Sequence, residues 1–180
     1  MKEVLLVGNG PSCLNNKFSD LIDSHDIVVR FNDFEIDGYE EYVGTKTDIW
    51  VKTKKSNKHN NKIFNKKYYV YPRTLRHSEA DIKNITSDGY EIIPTRLHDE
   101  VDKLIGTPNK WSTTGLVMIY HFIKQNYNVT IHGFDFFENG VHYYQDNSSM
   151  IGHDPSKEKI IVNKLIKDNL VKPLKIYEKR

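Results

Sequence analysis

Apolar residues along this chain gather in short runs, each closed by a polar or turn-forming residue. Val4-Leu5-Leu6-Val7 ends at Gly8, Ile27-Val28-Val29-Arg30-Phe31 ends at Asn32, Tyr68-Tyr69-Val70-Tyr71 ends at Pro72, and Val129-Thr130-Ile131-His132 ends at Gly133. Asp48-Ile49-Trp50-Val51 is a fifth run, and Glu91-Ile92-Ile93 before Pro94 is a shorter one. Runs this short and this continuous predict strands buried on both faces. Leu174-Lys175-Ile176-Tyr177 predicts a last edge strand. Between the runs, apolar residues recur at helical spacing over 78–84, 96–105, 113–125 and 155–167, with a short helical segment over 18–23. Pro155 suits the first turn of its helix, where its missing N–H costs nothing. Strands alternating with helices predict an α/β fold, a doubly wound parallel sheet in one domain over 1–180. The Lys- and Asn-rich stretch 52–67 reads as a solvated loop or a loose helix.

Charge and cysteine content narrow the class. The formal net charge of +2 is too small to point to nucleic acid. Lys52, Lys54, Lys55, Lys58, Lys62, Lys66 and Lys67 form a basic stretch able to follow a polyanion, but a solvated surface is the preferred reading. Cys13 is the only cysteine, so neither an intrachain disulfide nor a cysteine metal site is expected. Met1-Lys2-Glu3 leads directly into the first apolar run, without the pattern of a signal peptide. No stretch approaches the ~20 apolar residues that span a bilayer. A cytoplasmic protein is expected.

Four segments carry candidate chemistry. Gly8-Asn9-Gly10-Pro11-Ser12 directly follows the first strand, where ligands of doubly wound sheets bind, and reads as a phosphate-type loop. It is neither Gly-x-Gly-x-x-Gly nor a Walker loop, and an ordinary tight turn is an equal reading. Asn32, at the end of the second strand, offers an amide to a nucleotide or its phosphate, or simply forms a turn. Trp111-Ser112-Thr113-Thr114-Gly115 opens an apolar helix, with Ser112 the expected N-cap and the helix start favouring negative charge. The last segment runs from Gly133-Phe134-Asp135-Phe136-Phe137 through His142-Tyr143-Tyr144-Gln145 and Gly152-His153-Asp154 to Glu158. Histidines in a long loop after a strand suit proton transfer near neutral pH. His25, His59, His77, His98, His121 and His132 read as surface or core residues.

Taken together and in order, these segments resemble the sialyltransferases. Val7-Gly8-Asn9-Gly10-Pro11-Ser12, Asp23-Ser24-His25-Asp26-Ile27-Val28-Val29-Arg30-Phe31-Asn32 and Val43-Gly44-Thr45-Lys46-Thr47-Asp48 look like the large sialyl motif of glycosyltransferase family 29. Ser112-Thr113-Thr114-Gly115 through Gly133-Phe134-Asp135 looks like the small motif, and His142-Tyr143-Tyr144-Gln145 the third. His153 and Glu158 reproduce the very small motif, His-x-x-x-x-Glu. Gly133-Phe134-Asp135-Phe136-Phe137-Glu138-Asn139-Gly140 and Ile151-Gly152-His153 are also similar to the bacterial sialyltransferases of family 42. The resemblance covers most of the chain outside 52–105.

What the resemblance implies is a compact Rossmann-like variant of the GT-A fold with CMP at the carboxyl edge of the sheet. The nucleotide would be held by Gly8, Asn9, Gly10, Ser12, Asn32, Ser112, Thr113, Thr114 and Gly115. Phe134, Asp135, Phe136 and Tyr143 would complete its site, with Asp135 and Phe136 bordering the cytosine. His142 would meet the leaving phosphate and His153 would be the base of a single inverting displacement. The partners implied are a CMP-sugar donor and a glycan or glycolipid-type acceptor, with no separate cofactor. No Asp-x-Asp occurs, and one phosphate needs less charge compensation than two, so no metal is expected. The chain departs from family 29 in lacking its disulfide and its membrane anchor, and Gln145 stands where an acidic residue is commoner. A CMP-Kdo or other nucleotide-sugar donor, an enzyme acting on nucleic acid and a non-catalytic nucleotide-binding module are the competing readings.

Overall fold

The computed structural model describes residues 2–53, 56–71, 78–136, 141–145 and 152–175. Seven strands form one sheet: β1 (Glu3–Val7), β2 (Val28–Phe31), β3 (Ile49–Lys52), β4 (Lys66–Tyr69), β5 (Tyr90–Ile92), β6 (Asn128–His132) and β7 (Val171–Pro173). Their order across the sheet is β5-β4-β3-β2-β1-β6-β7, and every pairing is parallel. The register places Val4 beside Val129 and Val7 beside His132 on one side of β1, and Leu5 beside Val28 on the other.

Successive side chains on a strand point to opposite faces, so each strand feeds two cores. Val4 and Leu6 of β1 join a cluster with Val29, Val51 and Tyr68, covered by α4 (Thr95–Ile105), α5 (Thr114–Lys124) and α6 (Pro155–Lys167). Leu5 and Val7 turn the other way, toward Cys13, Ile22, Val28 and Val43. That face is covered by a 3₁₀ turn (Pro11–Asn15), α1 (Ser19–Asp23) and α2 (Glu40–Val43). Trp50, Tyr69, Tyr90 and Phe34 form a third, aromatic cluster. α3 (Glu79–Ser87) packs beside β5 and buries none of its residues fully. Helices on both faces of an all-parallel sheet are the doubly wound α/β arrangement expected.

Three sequence readings are corrected. The edge strand is Val171–Pro173, not 174–177, and Ile176 and Tyr177 lie outside the described residues. Pro173 fits because the strand is at the edge, where a missing N–H breaks no ladder on the open side. β4 begins two residues early, at Lys66, and Pro72 falls outside the described residues. The stretch 52–67 is neither solvated loop nor helix at its ends: Lys52 closes β3, and Lys66 and Lys67 open β4. The 3₁₀ turn and α2, too short to show a period, went unread.

Candidate functional site

β1 is the point where the winding of the sheet reverses: β2 lies on one side and β6 on the other. The segments leaving β1 and β6 therefore diverge and open a cleft at the carboxyl edge. Its walls carry Gly8, Asn9 and Gly10 after β1, Phe31 and Asn32 from β2, and residues 113–115 at the start of α5. Residues 133–136 after β6, together with Val141, His142, His153 and Glu158, complete it.

The glycines at the base of the cleft serve close backbone approach. Gly8 N–H donates to the His132 carbonyl at 2.7 Å and Gly10 N–H to the Gly133 carbonyl at 2.9 Å. A Cβ on Gly8 would lie 2.4 Å from the Gly133 oxygen, and one on Gly133 (φ +70°) 2.2 Å from the Cys13 sulfur. Ser12 N–H donates to Asp135 Oδ2 at 2.6 Å. The N–H groups of residues 8, 10 and 12 are thus spent inside the protein, and the phosphate-cradle reading of this loop does not hold for them. Asp135 reaches the cleft wall with one carboxylate oxygen committed to that bond.

The two asparagines present opposite polarity. Asn9 Nδ2 donates to the Phe31 carbonyl at 3.1 Å, and its Oδ1 is buried with no hydrogen-bond partner. Asn32 sits at φ +54°, with its N–H on the Val51 carbonyl and its own carbonyl accepting from Trp50 Nε1 at 2.8 Å. Its Oδ1 accepts from the Ser56 hydroxyl at 3.1 Å. Asn9 offers an acceptor, and Asn32 a donor.

The start of α5 is built from two buried carboxylates. Asp102 Oδ1 accepts both the N–H and the hydroxyl of Ser112, each at 2.6 Å. Glu158, 4 % exposed, accepts the Thr113 N–H at 2.6 Å and the Thr113 hydroxyl at 2.7 Å. The N-cap is therefore Thr113, whose Oγ1 accepts the Leu116 N–H at 3.2 Å; Ser112 is buried behind it and does not line the cleft. Thr114 and Gly115 form the first turn, where N–H groups have no intrahelical partner, and both line the cleft. A Cβ on Gly115 would meet the Phe134 ring at 2.8 Å. Burial, reinforced by Asp102 and Asp154, pushes the Glu158 carboxyl up to about 7 against the pull of its Thr113 bonds. Glu158 supports the backbone of the α5 start.

His153 precedes α6, and its Nδ1 lies 2.9 Å from the Trp111 carbonyl. A carbonyl only accepts, so Nδ1 carries the proton and Nε2 keeps its lone pair in the neutral ring. Trp111 N–H returns a bond to the Gly152 carbonyl at 2.9 Å. Gly152 (φ +97°) is required there, because a Cβ would stand 2.4 Å from the Trp111 ring. Asp154 caps α6 through Lys157 N–H and accepts the Thr107 hydroxyl at 2.7 Å. His142 stacks on Tyr144 with ring centroids 5.4 Å apart. Burial holds His142 below its usual range, partly countered by a hydrogen bond to the Asn9 backbone. Tyr143 turns away from the cleft into the core, where its hydroxyl donates to the Glu35 carbonyl and its N–H to the Asn9 carbonyl. It braces the segment that carries His142.

Of the residues singled out in the sequence, the fold brings Gly8, Asn9, Gly10, Asn32, Thr113, Thr114, Gly115, Phe134, Asp135, Phe136, His142 and His153 to one cleft. Ser12, Ser112 and Tyr143 stand behind it. Phe137, residues 138–140 and Ile151 lie outside the described residues. Phe31 and Val141 line the cleft without having been singled out; Phe31 had a usable signal, its place at the end of a strand beside Asn32. No Lys or Arg is among the described residues lining the cleft. Four lysines of the basic stretch are engaged elsewhere, and Lys62 is exposed. Lys52 is buried on Asn57 and Asn60, Lys58 pairs with Glu35, Lys66 with Glu91, and Lys67 bonds the Asp88 carbonyl. Lys54 and Lys55 lie outside the described residues. Among those described, no helix is long and apolar enough to cross a membrane.

Comparison with known proteins agrees with the resemblance. The model of Glycosyltransferase family 29 (sialyltransferase) matches residues 2–75, the part that holds the large motif. A β-1,6-galactosyltransferase, GALT29A of Arabidopsis thaliana, is 46% identical over 44 residues, 24% of this chain and 11% of that protein. The human CMP-N-acetylneuraminate-β-1,4-galactoside α-2,3-sialyltransferase is 38% identical over 50 residues, 28% of this chain and 13% of that protein. The chain thus spans only a small part of these relatives in matched sequence. Likeness of fold runs much further. A mammalian sialyltransferase crystallised with Gal-β-1-3GalNAc-ortho-nitrophenol superposes with a TM-score of 0.74 at 19% identity, over 98% of this chain and 70% of that one. The monofunctional α-2,3-sialyltransferase Cst-I of Campylobacter jejuni gives 0.67 at 20% identity, over 97% and 76%. The fold is that of the sialyltransferases, from both mammalian and bacterial sources.

Proposed function

We propose that this chain is a metal-independent, inverting glycosyltransferase that takes sialic acid or a related keto sugar from a CMP-sugar donor. One observation carries the reading: His153, with Nδ1 committed to the Trp111 carbonyl, shares a cleft with the first turn of α5. A base and a helix start that favours anions then border one space. The acceptor hydroxyl attacks the anomeric carbon, its proton passes to His153 Nε2, and the bond from that carbon to the phosphate oxygen breaks with its electron pair leaving on CMP. The N–H groups of Thr114 and Gly115 and the ring of His142 receive the charge that builds on the phosphate. Asn9 Oδ1 and Asn32 Nδ2 of the side-chain amides hold the nucleotide, one as acceptor and one as donor. With no cation lining the cleft among the described residues, a single phosphate suits it better than a diphosphate.

No cofactor is needed beyond the donor itself, and the acceptor is a glycan or glycolipid. Single, buried Cys13 fits a cytoplasmic setting. The engaged lysines of 52–67 speak against a nucleic-acid partner. The Arabidopsis relative is named as a galactosyltransferase, which favours a second donor class, galactose activated as a nucleoside diphosphate. A panel of nucleotides and nucleotide sugars separates the two. CMP at ~100 times its Kd should raise stability by about 2.7 kcal/mol, with CMP-sialic acid turned over and UDP-galactose inert. A melting shift with UDP and none with millimolar CMP would transfer the assignment to the galactosyl donor.

A further inference from the structure

An amide that meets a ligand at one end can be held in place by a partner at the other. For Asn32 that partner is Ser56, only 5 % exposed, whose hydroxyl donates to Asn32 Oδ1 at 3.1 Å. The Asn32 backbone is held separately, by Val51 and Trp50. Ser56 belongs to a segment tied down along its length. Ser56 N–H bonds the Thr53 carbonyl at 3.2 Å, and Lys58 N–H bonds Asp33 Oδ1 at 2.9 Å. His59 Nε2 donates to the Phe34 carbonyl at 2.9 Å, and the buried Lys52 ammonium holds Asn57 and Asn60 at 2.9 and 2.8 Å. These bonds fix the hydroxyl against the β2 end of the cleft.

We propose that Ser56 is a positioning residue for this site: its hydroxyl anchors the Asn32 side chain by the amide oxygen and so holds that side chain in place for a ligand in the cleft. The inference rests on the reading that the cleft takes a nucleotide. Without the hydroxyl, the Asn32 side-chain oxygen loses this anchor and the amide is no longer held for a ligand. Ser56 lies outside the sialyl motifs quoted from the sequence.

The test is CMP titration calorimetry on wild type, Ser56→Ala, Ser56→Thr, Asn32→Ala and the Asn32→Ala/Ser56→Ala double variant. Losing one neutral hydrogen bond should weaken CMP binding about three- to tenfold in Ser56→Ala. Ser56→Thr, which keeps the hydroxyl, should stay within about twofold of wild type, well inside the effect of one lost bond. The double variant should bind no more weakly than Asn32→Ala alone, because Ser56 acts only through Asn32. Wild-type affinity in Ser56→Ala, or additive losses in the double variant, overturns the proposal. A second measurement needs no nucleotide. The Asn32 side-chain NH₂ signals in a ¹H–¹⁵N spectrum, assigned by their loss in Asn32→Ala, should move in Ser56→Ala and stay in Ser56→Thr. If wild type fails to bind CMP, the nucleotide reading falls; unmoved NH₂ signals in Ser56→Ala overturn the positioning role itself.

Discussion

The His153 ring is fixed from behind by the Trp111 carbonyl, which leaves its other nitrogen for chemistry. His153→Ala should therefore lower turnover by ~10²–10⁴ while leaving the Kd for CMP nearly unchanged. Steady-state rates beside calorimetry check this, and collapse of CMP binding with turnover preserved would make His142 the better base. Glu158 yields a prediction in pH. Its carboxyl is raised to about 7 in the folded protein, above the ordinary 4.5. The folded state then holds a proton that the unfolded chain has lost, so this group's contribution to stability falls as pH rises from about 4.5 to about 7. Glu158→Gln keeps an acceptor for Thr113 N–H and removes the titration. Its stability relative to wild type should grow across that window by on the order of a few kcal/mol. Urea melts at pH 5 and pH 8 measure the difference, and parallel curves for the two proteins would contradict a raised Glu158.

Elements place these residues through contacts between backbones. β1 and β6 run so close at their carboxyl ends that Gly133 presses on both Gly8 and Cys13. Gly133→Ala should destabilise the protein by roughly 2–4 kcal/mol, combining overpacking with a left-handed backbone. Cys13→Ala should restore part of that by removing the sulfur in the way, and chemical denaturation of the single and double variants checks the coupling. Thr113→Ala should cost ~1–3 kcal/mol by stripping the α5 cap and leaving a Glu158 oxygen unpaired. Legibility in the sequence follows the same physics. β1, β2 and β6 stand out in the sequence because each is a short run with buried Val, Ile, Leu or Phe closed by Gly or Asn, and α6 because Pro155 opens it. β4 was misplaced because its first residues are lysines, neutralised by Glu91 and by the face of Tyr90, which only the folded neighbours reveal. The cleft residues were readable where they stand in ordered motifs. Ser112 and Tyr143 were taken for ligand contacts because a motif gives proximity but not side-chain direction. Ser56 left no trace at all, being one serine among lysines and asparagines.

For the molecule as a whole, the cleft shows no described Lys or Arg where its proposed ligand is anionic, and Asp135 stands on its wall. Lys and Arg are missing from the described residues that line it, so dipoles and hydrogen bonds must do the holding. Such a site responds weakly to ionic strength, since screening acts on net charges at a distance. The Kd for CMP should change by less than about threefold between 50 and 300 mM salt, far less than for a protein that binds by neutralising phosphates. EDTA should leave turnover intact. Titrations across salt, and rates with EDTA followed by Mn²⁺, test both; loss with EDTA restored by Mn²⁺ would put a metal in the mechanism.

The β1–β6 pairing joins strands more than 120 residues apart in the chain, with Val4 beside Val129 and Val7 beside His132. This has a consequence for how the protein is made. A ribosome adds about 5–20 residues per second, so β1 waits on the order of ten seconds before its second neighbour exists. During that interval β1 to β5 can line up on one side, while the other edge of β1, a row of unpaired N–H and carbonyl groups on an apolar strand, stays open to any passing strand. The ligand cleft, which needs the ends of both β1 and β6, cannot exist in a nascent chain that stops short of residue 132. Closing a loop of that length is also slow, because contacts far apart in sequence are made only after their entropy has been lost. The residues that bind and the step that completes folding are therefore the same, and a nucleotide added during refolding should trap the finished sheet without hastening its closure.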